Sequence, residues 1–212
     1  MANVPDAWPP PSGIDFGTSP VPMFPLPGLF LFPGQILPLH VFEPRYRQMI
    51  TDSLDGPGRI VIATVVDKDR DALPGRPPVL PIAGIGEIAR HERLEDGRFV
   101  IWLCGLSRVR IAEVASDRLY RRVLVDALGE IQATDDEDER LRPGLVAGIE
   151  KCTGKPLDCA STVPLGALAD VLTQCLCVPE GVLAAIHAEL EVAERGRKAL
   201  AAAERFPPRR KT

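Results

Sequence analysis

At 212 residues, 45% of them hydrophobic, the chain is long enough to fill a core without disulfides or metals as staples. A charged fraction of 25% and a formal charge of -4 are ordinary for a globular protein and offer no general attraction to a phosphate backbone, so nucleic acid is not the expected partner. No window approaches the roughly 18 continuous apolar residues of a membrane helix, and the N-terminus lacks the basic and apolar regions of a signal peptide, so a cytoplasmic protein with no membrane partner is expected.

In chain order, residues 1–22, rich in proline and containing Gly13 and Gly17, cannot sustain a helix or a central strand and read as a flexible or loosely docked arm. The folded part is expected to begin near Met23. Residues 29–32 are apolar and bracketed by Pro27-Gly28 and Pro33-Gly34, which predicts a short strand between turns. A second strand is expected over 36–42, with Leu37, Leu39 and Val41 on one face and His40 on the other. Pro44 suits the first position of a helix, and Tyr46, Met49, Ile50 and Leu54 recur at helical spacing, predicting an amphipathic helix over 44–54. The β-branched run 59–66 predicts a buried strand, and 67–78 a charged loop. Strands over 82–94 and 98–103 meet at Glu95-Asp96-Gly97, whose glycine can supply a positive φ. Strands over 108–114 and 122–128 complete a β-rich set in irregular antiparallel order, the pattern of a small barrel or sandwich.

The character changes at residue 130. Thr134 followed by Glu137 makes a capping box, and a helix N-terminus, where the macrodipole favours anions, explains the acidic run 135–139 better than calcium does. An EF-hand would need a glycine and spaced oxygen ligands that are absent. Further helices are expected over 165–177 and 179–206, the second broken near 189–192. The fold class is therefore α+β, with a β-rich unit over 23–129, a helical bundle over 130–206, and a basic tail, 207–212, that reads as a solvated end.

Catalytic and ligand motifs are absent. Gly154-Lys155 is followed by Pro156 and lacks the earlier glycine of a phosphate loop, and there is no G-x-S-x-G elbow, H-E-x-x-H helix or C-x-x-C pair. Cys104 lies in an apolar run and reads as a small core residue. The spacing of Cys152, Cys159, Cys175 and Cys177 lacks the pairing of common zinc modules, so neither a metal nor a cofactor is expected. Nothing marks His40, His91 or His187 as activated by a neighbouring cysteine; ordinary core or surface histidines are the favoured reading, and a Cys/His enzyme is the least favoured function.

The most distinctive segment is 24–46, FPLPGLFLFPGQILPLHVFEPRY. Its Pro25-Leu26-Pro27, the run ending Phe32-Pro33-Gly34, Leu37-Pro38-Leu39 and Phe42-Glu43-Pro44-Arg45-Tyr46-Arg47 are followed by Ile85-Gly86, Ile88-Ala89, Asp96-Gly97-Arg98, Gly105-Leu106 and Arg108-Val109-Arg110-Ile111. In this order they resemble the N-terminal substrate-binding domain of Lon proteases, a family that includes stand-alone bacterial proteins and the corresponding region of cereblon. The resemblance implies a PUA-like antiparallel β-barrel subdomain followed by a helical one. The ATPase and Ser-Lys peptidase modules of full Lon proteases have no counterpart in these 212 residues, so proteolysis is not expected. What is expected is a non-catalytic protein of quality control that binds unfolded polypeptide, a protease or chaperone, or a second copy of itself. An exposed apolar groove or sheet edge with a polar rim would serve that purpose, and the candidate contacts are Phe30, Phe32, His40, Phe42, Arg45 and Tyr46. Against this, the phenylalanines also suit a core, and Arg45 suits a pair with Glu43. The alternative is an RNA-binding PUA-like module, for which only Arg118, Arg121 and Arg122 around Tyr120 supply a basic cluster.

Overall fold

The structure, a computed structural model, describes residues 16–66, 76–158 and 161–209. The start of the proline-rich arm, most of the charged loop after residue 66, Cys159 and the end of the basic tail lie outside them. The protein is α+β, and its chain divides into two compact units, Met1–Leu128 and Gly129–Thr212.

Unit one holds β1 (Val21–Pro27), β2 (Ile36–Val41), α1 (Pro44–Leu54), β3 (Arg59–Val65), β4 (Ile82–Arg93), β5 (Phe99–Val114) and β6 (Arg121–Ala127). The strands follow the order β2-β5-β4-β3-β1-β6, and β6 also pairs with β5, which closes a barrel and leaves β2 outside the ring. All pairings are antiparallel except β1 with β3, which run parallel with Met23 opposite Val61. A parallel pair needs a crossover, and β2 with α1 supplies it. Alternate residues of β3 enter two cores. Ile60 and Ile62 join Tyr46, Met49 and Ile50 of α1, while Val61 and Ala63 join Phe16, Met23 and Val123. Burial on both faces explains why β3 reads as a continuous apolar run.

Two expectations fail in the first 35 residues. The arm does not extend to residue 22, because Phe16 is buried and β1 already starts at Val21. Its prolines are tolerated because each lies where β1 is paired on one side only: Pro22 before the β3 ladder begins at Met23, and Pro25 and Pro27 beyond the stretch paired with β6. Residues 29–32, expected as a strand, form none. Gly28 and Gly34, at φ 64° and 80°, turn the chain at either end. Between them the backbone lies directly on the sheet, which it can do only because β4 and β5 carry glycines there. A Cβ at Gly84 would overlap the Leu31 carbonyl, one at Gly105 the Phe32 carbonyl, and one at Gly86 would stand 2.9 Å from a Leu31 methyl. Side chains replace the ladder: the Thr64 hydroxyl donates to the Leu29 carbonyl, and Phe32 N–H donates to Gln35 Oε1 at 3.0 Å. Gly105 is thus a point of close approach and not a break, which is why the two strands expected over 98–103 and 108–114 are the single strand β5.

Unit two contains α2 (Asp135–Thr153), α3 (Leu165–Gln174), α4 (Glu180–His187) and α5 (Val192–Arg205). The Thr134–Glu137 capping box is formed, and Gly154 ends α2 in the left-handed conformation. The break between α4 and α5 falls where Ile131 N–H donates to the Leu190 carbonyl and Val192 N–H to the Ile131 carbonyl. Sequence reading missed the buried cation here. Arg195 is fully buried, with Nη2 2.7 Å from Glu130 Oε1, Nη1 donating to the Glu189 carbonyl, and Nε 3.1 Å from Asp170 Oδ1. Among the described residues no helix is long and apolar enough to cross a membrane.

A methyl group at position 105 cannot rotate away from a backbone carbonyl. Gly105→Ala should therefore cost about 3 kcal/mol, near the upper end for overpacking, read as a drop in urea midpoint. Gly181→Ala, on α4 with nothing within 4 Å of the added carbon, should be neutral or stabilising by about 0.5–1 kcal/mol. Equal behaviour of the two variants would contradict the packing described.

Candidate functional site

Strand alternation builds the first feature. On β2, Leu37 and Val41 are buried and Leu39 half-buried, so Ile36, Pro38 and His40 point the other way. The register sets Ile36 opposite Cys104, Pro38 opposite Trp102 and His40 opposite Val100. On the far side of β5, Glu87, Arg90 and Glu92 face those same three residues. Directly opposed residues project to one side, so these three strands share an outward face. Its middle is apolar: Ile36 is 53% exposed, Phe42 just beyond β2 is 60% exposed, and Trp102 and Val100 are half-buried. Its margins are polar, with the Arg90 guanidinium 4.8 Å from the Trp102 ring centre and the His40 ring 6.1 Å from that of Phe42.

Among the described residues β2 pairs with β5 alone, leaving a free edge. Gly105 N–H donates to the Gln35 carbonyl at 2.8 Å, and by antiparallel alternation Leu37, Leu39 and Val41 also turn their backbone groups toward β5. Position 38 therefore faces the free edge, and proline there removes a donor that a further strand would need. The face is open to a partner, while its edge is blunted.

A second feature adjoins α1, a cavity of about 150 Å³ between residues 45–46, 76 and 116–121. Arg45, Arg76, Arg118 and Arg121 line it together with Tyr46 and Tyr120. Glu113 binds Arg121 through both oxygens, at 3.0 and 2.6 Å, and Arg76 through one. The Arg121 hydrogen bonds, with those of Arg76, hold the Glu113 carboxyl below the usual carboxylate range. Burial, reinforced by its hydrogen bond to Asp52, pushes the Tyr120 hydroxyl up to about 12, so it donates to Asp52 at 2.8 Å throughout the physiological range. Burial also raises Tyr46, whose ring lies 4.2 Å from Phe24 and carries the Arg45 guanidinium at 4.5 Å.

The six sequence candidates separate accordingly. Phe30, Phe32 and Tyr46 are buried at 6%, 2% and 5% exposure, so none offers a side chain to a large partner. His40 and Phe42 lie on the open face. Arg45 pairs with Glu43 at 2.9 Å, as its spacing suggested, and also reaches the cavity. Sequence reading missed Ile36 and Trp102, which period-two alternation with an outward phase could have found, and Arg76, which only tertiary folding brings to Glu113. Among the described residues no group of three His, Cys, Asp or Glu side chains could hold a metal.

Residues 20–203 match the family model of the ATP-dependent protease La (LON) substrate-binding domain. Lon protease 2 of Syntrophobacter fumaroxidans is 27% identical over 143 residues, which are 66% of this chain and 18% of that protein. Lon protease 1 of Bacillus subtilis is 26% identical over 121 residues, 57% of this chain and 16% of that protein. The chain thus spans less than a fifth of the length of these two curated relatives. Among solved structures, the N-terminal domain of Mycobacterium avium complex Lon protease superposes with a TM-score of 0.69 at 19% identity, covering 88% of this chain and 99% of that one. The Lon N-terminal domain protein from Xanthomonas campestris gives 0.64 at 20% identity, covering 86% and 98%. These two likenesses show the fold.

The Glu113 site carries a pH prediction. A carboxyl held lower in the folded than in the unfolded state contributes stability above about pH 4.3, the unfolded value, and loses it as pH falls through the folded value. Wild type should melt higher than Glu113→Gln at pH 7, and the gap should close below about pH 4 in thermal melts. A gap that widens on acidification would contradict the assignment.

Proposed function

Because the chain belongs to the ATP-dependent protease La (LON) substrate-binding domain family, we propose that it is a non-catalytic module of protein quality control that binds exposed apolar segments of unfolded polypeptide. The observation that carries this reading is the outward strip on β2 and β5, where Phe42 and Ile36 are 60% and 53% exposed beside half-buried Trp102 and Val100. An apolar centre rimmed by Arg90, Glu92 and His40 suits an unfolded segment, whose apolar side chains find area while the polar rim limits indiscriminate adhesion. Pro38 has a matching role, discouraging addition of a further strand and favouring contact through side chains. The partners are unfolded client proteins and, through them, a protease or chaperone.

The RNA alternative loses its basic cluster. Arg121 is held by Glu113 and the Pro77 carbonyl, Arg122 donates to the Pro20 carbonyl, and Arg118 lies 3.5 Å from Asp52. With Arg121 and Arg122 so engaged, only Arg118 keeps an exposed guanidinium, and a single cation makes no continuous track for a phosphate backbone.

Fluorescence anisotropy with a reduced, carboxymethylated protein as the unfolded probe tests the reading. Ile36→Ser with Phe42→Ser should weaken binding roughly tenfold or more, since exposed apolar anchors dominate such interfaces, while stability stays within about 0.5 kcal/mol of wild type. Binding that survives both substitutions would remove the strip as the docking face.

A further inference from the structure

The arginine-lined cavity beside α1 has a chemistry that apolar contact does not use. Four guanidinium groups line it, and no carboxylate is among its lining residues. The acids that pair with them are not among the lining residues: Glu43 on Arg45 at 3.0 Å, Glu113 on Arg121 and Arg76, and Asp52 at 3.5 Å and Asp117 at 3.6 Å from Arg118. Each guanidinium has five N–H donors in a planar fork, more than these acids take up on Arg76 and Arg118, which are 66% and 46% exposed. Arg45 and Arg121 are held more rigidly, one stacked on Tyr46 and the other clamped by Glu113 and the Pro77 carbonyl. A group that would match such forks is a small anion with two oxygens.

The surroundings of the cavity narrow the choice. Leu119, 66% exposed, is the exposed apolar side chain among the lining residues. Two residues, Glu43 and Pro44, separate Arg45 from Phe42 on the apolar strip, placing their Cα atoms at most about 11 Å apart, the reach of three extended steps of chain.

We propose that this cavity is a carboxylate site that takes the C-terminal carboxylate of a polypeptide whose preceding apolar residues lie toward Phe42. The peptide part of this inference rests on the reading under Proposed function; the carboxylate part stands on the cavity alone. An internal Asp or Glu offers the same group, and the test separates the two sources.

The arginine Nε–Hε resonances of the full chain can be followed during titration with N-acetyl-leucine and with N-acetyl-leucinamide. N-acetyl-leucine should shift the Arg45 and Arg118 signals and the amide should not. Arg76→Gln with Arg118→Gln, both at exposed positions, should weaken the acid roughly tenfold while the backbone spectrum stays that of the folded protein. A ten-residue apolar peptide with a free C-terminus should bind roughly tenfold tighter than its amidated twin. Equal shifts by acid and amide, or none, would overturn the carboxylate site whatever the strip binds. Stronger binding by inorganic phosphate than by N-acetyl-leucine would overturn it in favour of a phosphate site. An amidated peptide with an internal glutamate that matches the free-ended one would overturn the C-terminal assignment. Response to N-acetyl-leucine without binding of either peptide would support the carboxylate site and remove the polypeptide reading.

Discussion

Three positions without side chains let the segment Leu31–Phe32 rest on the barrel sheet, Gly84 and Gly105 under its backbone and Gly86 under the Leu31 side chain, and the β2 register of unit one depends on that contact. It places Phe30, Leu31 and Phe32 in the interior and brings Gly34 and Gln35 against Gly105, where Gly34 N–H donates to the Gly105 carbonyl and Gly105 N–H to the Gln35 carbonyl. That pair starts the β2–β5 ladder and so sets its register. A slip of one residue would turn Leu37 and Val41 to solvent and bring Ile36, Pro38 and His40 into the core. The outward strip is therefore a consequence of a steric fit several residues upstream.

The strip and the arginine cavity are complementary in chemistry. One offers apolar area with a polar rim, the other a fork of cations paired with acids, and the short connection from Phe42 through Glu43 and Pro44 to Arg45 joins them. A strand edge would otherwise be the most adhesive part of such a surface, because unpaired backbone groups accept any extended chain. Pro38 weakens that mode and leaves recognition to side chains, which can be selective.

Much of this architecture was legible in the chain before the structure. The helix over 44–54 and the capping box at Thr134 follow from local rules, period and cap, and they fall as expected. The Leu29–Phe32 strand does not, because an apolar run between turns is equally consistent with a chain crossing a sheet. Only the distant glycines at 84, 86 and 105 decide between these, and their proximity is a tertiary fact. The proline-rich β1 was hidden for a similar reason: its prolines lie where only one side of the strand is paired, and pairing partners are not visible in composition. Of the candidate contacts, alternation correctly turned His40 outward on β2, whereas Phe30 and Phe32, judged by hydrophobicity alone, could equally be core or surface and proved to be core. Arg76 reaches the Glu113–Arg121 pair from 37 residues before Glu113, and the buried Arg195 is hidden because its partners Glu130 and Asp170 lie far from it in sequence.

The most direct test of the docking face is methyl NMR of the labelled chain with a reduced, carboxymethylated polypeptide added. If the strip is the docking face, Ile36 and Val100 methyls shift and broaden, while the exposed methyls of Val171 and Val182 on the helical unit stay where they are. Perturbation confined to Val171 and Val182, with Ile36 and Val100 unmoved, would contradict it.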